Sequence, residues 1–252
     1  MGAKVIKIPF FYPINSRFQN NLFSTSIFKK KKKNQTLFLI FAESYFRMVM
    51  LSSIYSIGHG QKSMDEFISE LRSYNIHYLI DVRSNPFSKW APQYNRGIIE
   101  DILNQQGIIY LYMGDVIGGR PLDENCFDAE GYFDYKKMAE TPQFQTGLKR
   151  LIKANEKGCR VAVMCSEADP TQCHRSKLIG RELYFQENIS MEHIIAVNKT
   201  KTQVDIMTEL DRGKGNWPEG DLFNEATPPY FKSRKSYKKE EQEEDEILSY
   251  YV

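Results

Sequence analysis

The sequence lacks three features that would place a protein in a class at once: a long apolar run, a strong net charge and many cysteines. The longest apolar run, residues 36–42 (TLFLIFA), is far shorter than the roughly 18 residues that a membrane helix needs. The net charge of only +2 gives no bulk attraction to nucleic acid or to a membrane surface. We therefore expect no membrane partner.

The four cysteines, Cys126, Cys159, Cys165 and Cys173, are too few and too irregularly spaced for a disulfide framework. Nothing in the chain is typical of a cleavable secretory signal. Disulfides are rare in reducing compartments, so we expect reduced thiols in a cytoplasmic protein.

The pattern divides the chain into three parts. Residues 1–50 contain five consecutive lysines at 29–33 beside aromatic residues, without a persistent helical or strand period. We interpret this part as a disordered or misassigned extension, the alternatives being a basic nucleic-acid arm or a targeting peptide. Residues 51–212 are regular and form the predicted domain. Residues 213–252 end in a basic block followed by an acidic block, typical of a solvated tail.

Short apolar strands alternate with amphipathic helices in the predicted domain. Five strand segments are recognised: SSIYSIG, IHYLIDV, IIYLYM, RVAVM and HIIAV. Helix starts are indicated by Ser63 with Glu66, by Asn95, by Thr141–Pro142 and by the residues 169–172. Residues 113–140 look like an irregular insertion. This alternation predicts a three-layer α/β fold, with a mostly parallel sheet of about five strands and helices on both faces.

Polar residues follow three of these strands directly. His59 lies between two glycines after the first strand, Asp81 and Arg83 follow the second, and Cys165 follows the fourth. The carboxyl ends of parallel strands meet at one edge of a sheet. We therefore expect these side chains to surround one pocket.

The segment MCSEADPTQCHR, residues 164–175, is the densest cluster of reactive groups. Cys165 precedes the predicted helix start, where free backbone N–H groups and Arg175 would favour a thiolate. A buried structural cysteine is the alternative. A metal site of Cys165, Cys173 and His174, with His59 as a fourth ligand, is a third reading. We expect no metal, because adjacent residues 173 and 174 would diverge on a helix and no CxxC pair exists.

Two other segments carry candidate binding groups. Arg83 can pair with Asp81 or Glu167, or bind an anionic substrate. Between Pro86 and Pro92 lies an aromatic loop that could stack a base or a sugar, or cover the crevice. A flexible Gly-Gly-Arg turn at 118–120 follows the third strand and contributes a cation to the same edge.

Four consecutive blocks, YSIGHG, LIDVRSNPFSKWAPQYN, YLYMGDVIGGRP and VAVMCSEADPTQCHR, resemble the domain-of-unknown-function family 488 over residues 53–197. The resemblance implies an intracellular, mostly bacterial domain with an enzymatic activity, and leaves the reaction open. Gly60 and Tyr94 depart from the residues common at their positions. The matching residues include Gly58, His59, Asp81, Arg83, Pro86, Ser88, Asn95, Gly118, Gly119, Cys165, Glu167, Cys173, His174 and Arg175.

The leading hypothesis is an enzyme that binds a small anionic or nucleotide-like substrate without a cofactor. Cys165 would be the nucleophile, His174 or His59 the acid or base, and Glu167 an orienting group. The predicted binding residues are Arg83, Asp81, Arg175, Ser88, Asn95, Gly118 and Gly119. The alternatives are a non-catalytic nucleic-acid-binding module and a purely structural domain. The sequence does not predict an oligomeric state.

Overall fold

The computed structural model describes residues 53–120 and 123–211, together with Tyr230 and Ser233. The predicted extension 1–50 and nearly all of the predicted tail 213–252 lie outside the described residues. Within the described part, no helix is long and apolar enough to cross a membrane.

One six-stranded sheet forms the centre of the described domain. Its strands are β1 (Ile54–Gly58), β2 (Tyr78–Asp81), β3 (Ile109–Tyr112), β4 (Val161–Cys165), β5 (Glu192–Ala196) and β6 (Lys199–Thr202). The order is β3-β2-β4-β1-β5-β6, and every pairing is parallel except that of β5 with β6. The predicted, mostly parallel α/β sheet is confirmed, with six strands instead of five.

The sixth strand was missed because it is polar. Asn198 adopts a left-handed conformation (φ 56°), and the chain turns back there and pairs antiparallel with β5. The sequence of β6, KTKT, alternates lysine with threonine and has no apolar face. An edge strand of this kind gives no hydrophobic periodicity to detect.

Helices cover both faces of the sheet, as predicted. They are α1 (Met64–Ser73), α2 (Arg96–Gln105), α3 (Gly114–Ile117), α4 (Tyr135–Glu140), α5 (Pro142–Glu156), α6 (Arg181–Glu187) and α7 (Gln203–Asp211). Apolar residues of α1 and α2 pack with Tyr55, Leu79 and Met164 on one face. Those of α4, α5 and α6 pack on the other face with Ile80 and Val163.

This topology places a crevice beside β4. The chain leaves β1 toward β2 through α1 on one face, whereas it leaves β4 toward β5 through α6 on the opposite face. Since β1 and β4 are neighbours, the connections that follow them lead to helices on opposite faces, as at the strand-order reversals where α/β proteins bind ligands.

Two local predictions were wrong. The supposedly irregular insertion 113–140 contains α3, α4 and a 3-10 turn at Glu124–Cys126. Asp169 does not open an α-helix: it caps a single 3-10 turn, Pro170–Gln172, by accepting from Thr171 N at 2.8 Å. Cys173 is then extended (φ −120°, ψ 147°), and a π-helical turn, Arg175–Gly180, leads into α6.

Candidate active site

Three strand ends meet at one cleft, as the sequence predicted. Gly58 of β1 is in register with Cys165 of β4, and His59 N donates to Cys165 O at 3.0 Å. On the other side of β4, Val82 N donates to Met164 O at 3.0 Å. The cleft has a volume of about 680 Å³. Its lining comprises His59, Arg83, Ser84, Asn85, Phe87, Ser88, Gly119, Arg120, Tyr135, Cys165, Ser166, Glu167, Gln172, Cys173, His174 and Ser233.

Glycine is required where β1 passes the loop after β4. A Cβ on Gly58 would lie 2.0 Å from the carbonyl oxygen of Glu167, which is far inside contact distance. The absence of a side chain lets the two loop backbones touch. This close approach brings His59 beside the cysteine loop.

Arg83 is the cation that the strand ends present to the cleft, and Asp81 holds it. The Nε and Nη2 atoms of Arg83 donate to the two carboxylate oxygens of Asp81 at 2.9 and 2.6 Å. Nη2 also donates to Tyr94 O at 2.7 Å, and Tyr110 Oη donates to Asp81 at 2.7 Å. Asp81, predicted to bind substrate, is fully buried and outside the cleft lining, and its carboxylate positions Arg83.

The Nη1 atom of Arg83 points to His59, 3.4 Å from its Nε2. The imidazole stacks on Tyr94 with ring centroids 4.1 Å apart, and its Nδ1 lies 3.0 Å from Gly60 O. Burial, aided by the charge of Arg83, lowers the pKa of His59 to about 4. Near neutral pH His59 is therefore an uncharged group beside Arg83.

The cysteine loop folds back on itself, contrary to the predicted helix. Because Cys173 is extended, its side chain and that of His174 both turn toward Cys165. His174 Nδ1 lies 3.7 Å from Cys173 Sγ and 3.9 Å from Cys165 Sγ. All three side chains are buried but reach the cleft lining. The expectation that residues 173 and 174 diverge is wrong, because Cys173 is extended and only His174 lies at the start of the helical turn.

The two thiols interact, and the opposite directions of their pKa shifts favour Cys173 as the thiolate. The hydrogen bond of Cys165 to Cys173, together with burial, raises the pKa of Cys165 well above the ordinary value. Burial alone would raise the pKa of Cys173, but the bond from Cys165 and the charge of Arg175 outweigh it and lower that pKa well below the ordinary value. The sequence predicted the thiolate at Cys165. The pKa directions favour Cys173 instead, because Cys173 receives the bond from Cys165 and also accepts from Arg175 Nε at 3.3 Å.

Arg175, predicted to bind substrate, is buried behind the cleft. Its side chain is 1% exposed and lies outside the cleft lining. Besides Cys173, it donates to Ser56 Oγ at 3.1 Å and to Glu167 O at 2.6 Å. A buried guanidinium in this position stabilises the neighbouring thiolate and braces the loop that carries it.

A buried polar chain that the sequence did not reveal continues behind Arg175. Since the guanidinium donates to Ser56 Oγ, the hydroxyl proton is available to His193 Nδ1, 2.6 Å away. His193 Nε2 then donates to Gln203 Oε1 at 2.8 Å. This arrangement requires neutral imidazole, and burial lowers the pKa of His193 to about 4. Single polar residues within apolar strands give no periodic signal, so only the fold brings them together.

The remaining predicted site residues separate into lining and bracing groups. Glu167, Ser88 and Gly119 line the cleft, whereas Asn95 and Gly118 do not. Asn95 begins α2, but its Oδ1 accepts from Ser88 N at 2.6 Å instead of capping that helix. A Cβ on Gly119 would lie 2.7 Å from His174 Nδ1, so this glycine makes room for the imidazole.

Cys165, Cys173 and His174 are also the one group among the described residues whose ligand atoms could hold a metal ion, all lying within 4.8 Å of one another. Cys₂His with an open fourth position suits Zn²⁺. His59, the predicted fourth ligand, faces Arg83 instead. The buried Arg175 against Cys173 supplies the positive charge that a metal would otherwise provide.

Comparisons with known proteins give one match. Residues 63–181 match the family described as Domain of unknown function DUF488. No curated protein and no solved structure matches the chain significantly.

Proposed function

Since the chain carries a DUF488 domain, whose description names no activity, we propose a function from the cleft: an enzyme that binds an anionic, nucleotide-like substrate and acts on it through a cysteine thiolate. The observation that carries the proposal is the juxtaposition of a thiol pair with a preorganised arginine in one cleft.

Arg83 is suited to recognise the anion. Asp81 holds two of its nitrogens, and the third faces the cleft beside neutral His59. A guanidinium fixed in this way loses little side-chain entropy when it binds a phosphate or a carboxylate. Ser84 and Ser88 line the same cleft and carry hydroxyl groups.

The thiol pair supplies a nucleophile and a proton. In the proposed reaction, the Cys173 thiolate attacks an electrophilic carbon or phosphorus atom of the substrate. The bond to the leaving group breaks with its electron pair, and the leaving group takes a proton from Cys165. Water or a second acceptor then attacks the group bound to Cys173, which leaves as a thiolate again. The proton of that water or acceptor returns to Cys165.

His174 is the histidine placed to relay that proton, because its Nδ1 lies within 4 Å of both sulfur atoms. No described residue hydrogen-bonds its buried Nε2. His59, the other predicted acid or base, lies beside Arg83 and so contributes to the anion site instead.

Site-resolved alkylation tests this proposal. The protein is treated with iodoacetamide between pH 5.5 and 9, with and without inorganic pyrophosphate, and each cysteine is quantified by mass spectrometry. We expect labelling within the Cys165–Cys173 pair at a pH below that of an ordinary thiol, slowed by pyrophosphate. The half-buried Cys159 is the internal reference. Labelling of the pair no faster than that of Cys159, without protection, would refute the proposal.

Two controls address the anion site and the zinc alternative in turn. Arg83→Lys keeps the charge but loses the bidentate geometry, so pyrophosphate should protect less while labelling without it is unchanged. Metal analysis of the purified protein tests for zinc. Thiols bound to Zn²⁺ would label only after a chelator removed a stoichiometric ion.

A non-catalytic nucleic-acid-binding module is the second candidate, and the exposed aromatic side chains of Phe87 and Trp90 favour it. Such a module would bind oligonucleotides without an activated thiol. Binding combined with ordinary thiol reactivity would select this alternative.

A further inference from the structure

Two large aromatic side chains on the loop of residues 84–96, here called the aromatic loop, are exposed to solvent. Phe87 is 62% exposed and Trp90 is 81% exposed. Phe87 lines the cleft, whereas Trp90, three residues later, lies outside its lining. Large apolar side chains are normally buried, and a neighbouring pair in solvent beside a cleft is typical of a binding surface.

The aromatic loop is braced internally. Ser88 N donates to Asn95 Oδ1 at 2.6 Å, and Ser88 Oγ accepts from Trp90 N at 3.2 Å and from Ala91 N at 3.3 Å. At the end of the loop, Arg96 N donates to Pro86 O at 3.1 Å. These bonds fix the backbone from which the two rings project, so a ligand meets them already ordered.

A cation lies near Trp90, and two others line the cleft that Phe87 lines. Lys89 Nζ lies 5.5 Å from the centre of the Trp90 ring, and Arg83 and Arg120 line the cleft beside Phe87. Glu167 is the carboxylate among the lining residues. Aromatic rings beside cations are the chemistry by which proteins bind unpaired bases and their phosphates.

We propose that the anionic substrate is a single-stranded nucleic acid, with a phosphate at Arg83 and successive bases stacked on Phe87 and Trp90. This inference rests on the proposed function, whose substrate class it specifies. A cleft of about 680 Å³ is the size of pockets that hold one small ligand, and so takes one nucleotide. A free nucleotide would use Phe87 alone, whereas a strand also accounts for the exposed Trp90 outside the cleft.

Tryptophan fluorescence tests the contact directly. The sequence has two tryptophans, Trp90 and Trp217, so Trp217→Phe leaves Trp90 as the single reporter. Titration with a thymidine octanucleotide should quench its fluorescence. Anisotropy of a labelled octanucleotide then compares the variants: Phe87→Ala and Trp90→Ala should each weaken binding about tenfold. Val197→Ala, an exposed apolar residue in the β5–β6 turn, is the matched control and should change nothing.

Three results would overturn the inference: no quenching, equal affinity of the aromatic variants and the unsubstituted protein, or thymidine monophosphate binding as tightly as the octanucleotide. None of these would alter the alkylation of the thiol pair. Conversely, octanucleotide binding with ordinary thiol reactivity would leave the strand contact standing and refute the thiolate enzyme.

Discussion

The Asp81 carboxylate holds Arg83 in position at the proposed anion site, and the loss of folding stability on its removal can be calculated. Asp81 is completely buried and accepts hydrogen bonds from Arg83 N, Nε and Nη2 and from Tyr110 Oη. Asp81→Ala leaves the buried Arg83 guanidinium without its counter-charge. Breaking a buried ion pair from one side costs about 3–5 kcal/mol. The variant should therefore lose a large share of a stability that is typically about 5–15 kcal/mol.

Urea unfolding monitored by circular dichroism measures this loss as a lower midpoint at unchanged slope. Asp81→Asn is the graded control, because it preserves shape and one acceptor oxygen, and it should fall between the two proteins. The double variant Asp81→Ala/Arg83→Met removes both charges and should recover part of the loss. If Asp81→Ala costs less than about 1 kcal/mol, Arg83 is not held as described.

The remaining predictions concern the imidazoles and the cysteine loop. Gly119→Ala should displace the His174 ring and cost about 1–3 kcal/mol, measured by thermal unfolding; an unchanged melting temperature would contradict the close contact. The pKa values of His59 and His193 are lowered to about 4, so the unfolded chain binds more protons below pH 6.5. The free energy of unfolding should therefore fall as pH drops from 6.5 toward 4, by up to about 3 kcal/mol per histidine. His193→Gln should make this dependence on pH weaker. A free energy of unfolding that does not change with pH in the unsubstituted protein would contradict the lowered pKa values. Asp169→Ala should cost only about 0.5 kcal/mol, the low end of capping effects, because its capping bond is exposed and serves a single 3-10 turn. A loss of about 2 kcal/mol would show that it supports the helix beyond.

The sheet and the convergence at the cleft could be predicted from the sequence because both depend on local patterns. Apolar strands, capped helices and parallel connections suffice to place the ends of β1, β2 and β4 on one edge. That reasoning brought His59, Arg83 and Cys165 together, as the structure does.

The roles within the cleft could not be predicted, because they depend on the backbone path between residues 165 and 175. A cap-like sequence at 169–172 indicated a helix, yet Cys173 is extended, and that single conformation turns it toward Cys165. That conformation favours Cys173 over Cys165 as the thiolate, and Arg175 lies on the buried side of the thiol, outside the cleft lining. The polar β6 and the Ser56–His193 contact had no pattern from which to predict them.

The thiolate at Cys173 is the central claim, and thiolate absorbance at 240 nm tests it most directly. A pH titration compares the unsubstituted protein with Cys173→Ser and Cys165→Ser. We predict absorbance that persists below pH 7, is lost in Cys173→Ser, and is largely retained in Cys165→Ser, whose hydroxyl still donates to the Cys173 sulfur. Titration of all three proteins only near the ordinary thiol pKa of about 8.5, or loss of the signal in Cys165→Ser alone, would contradict the account.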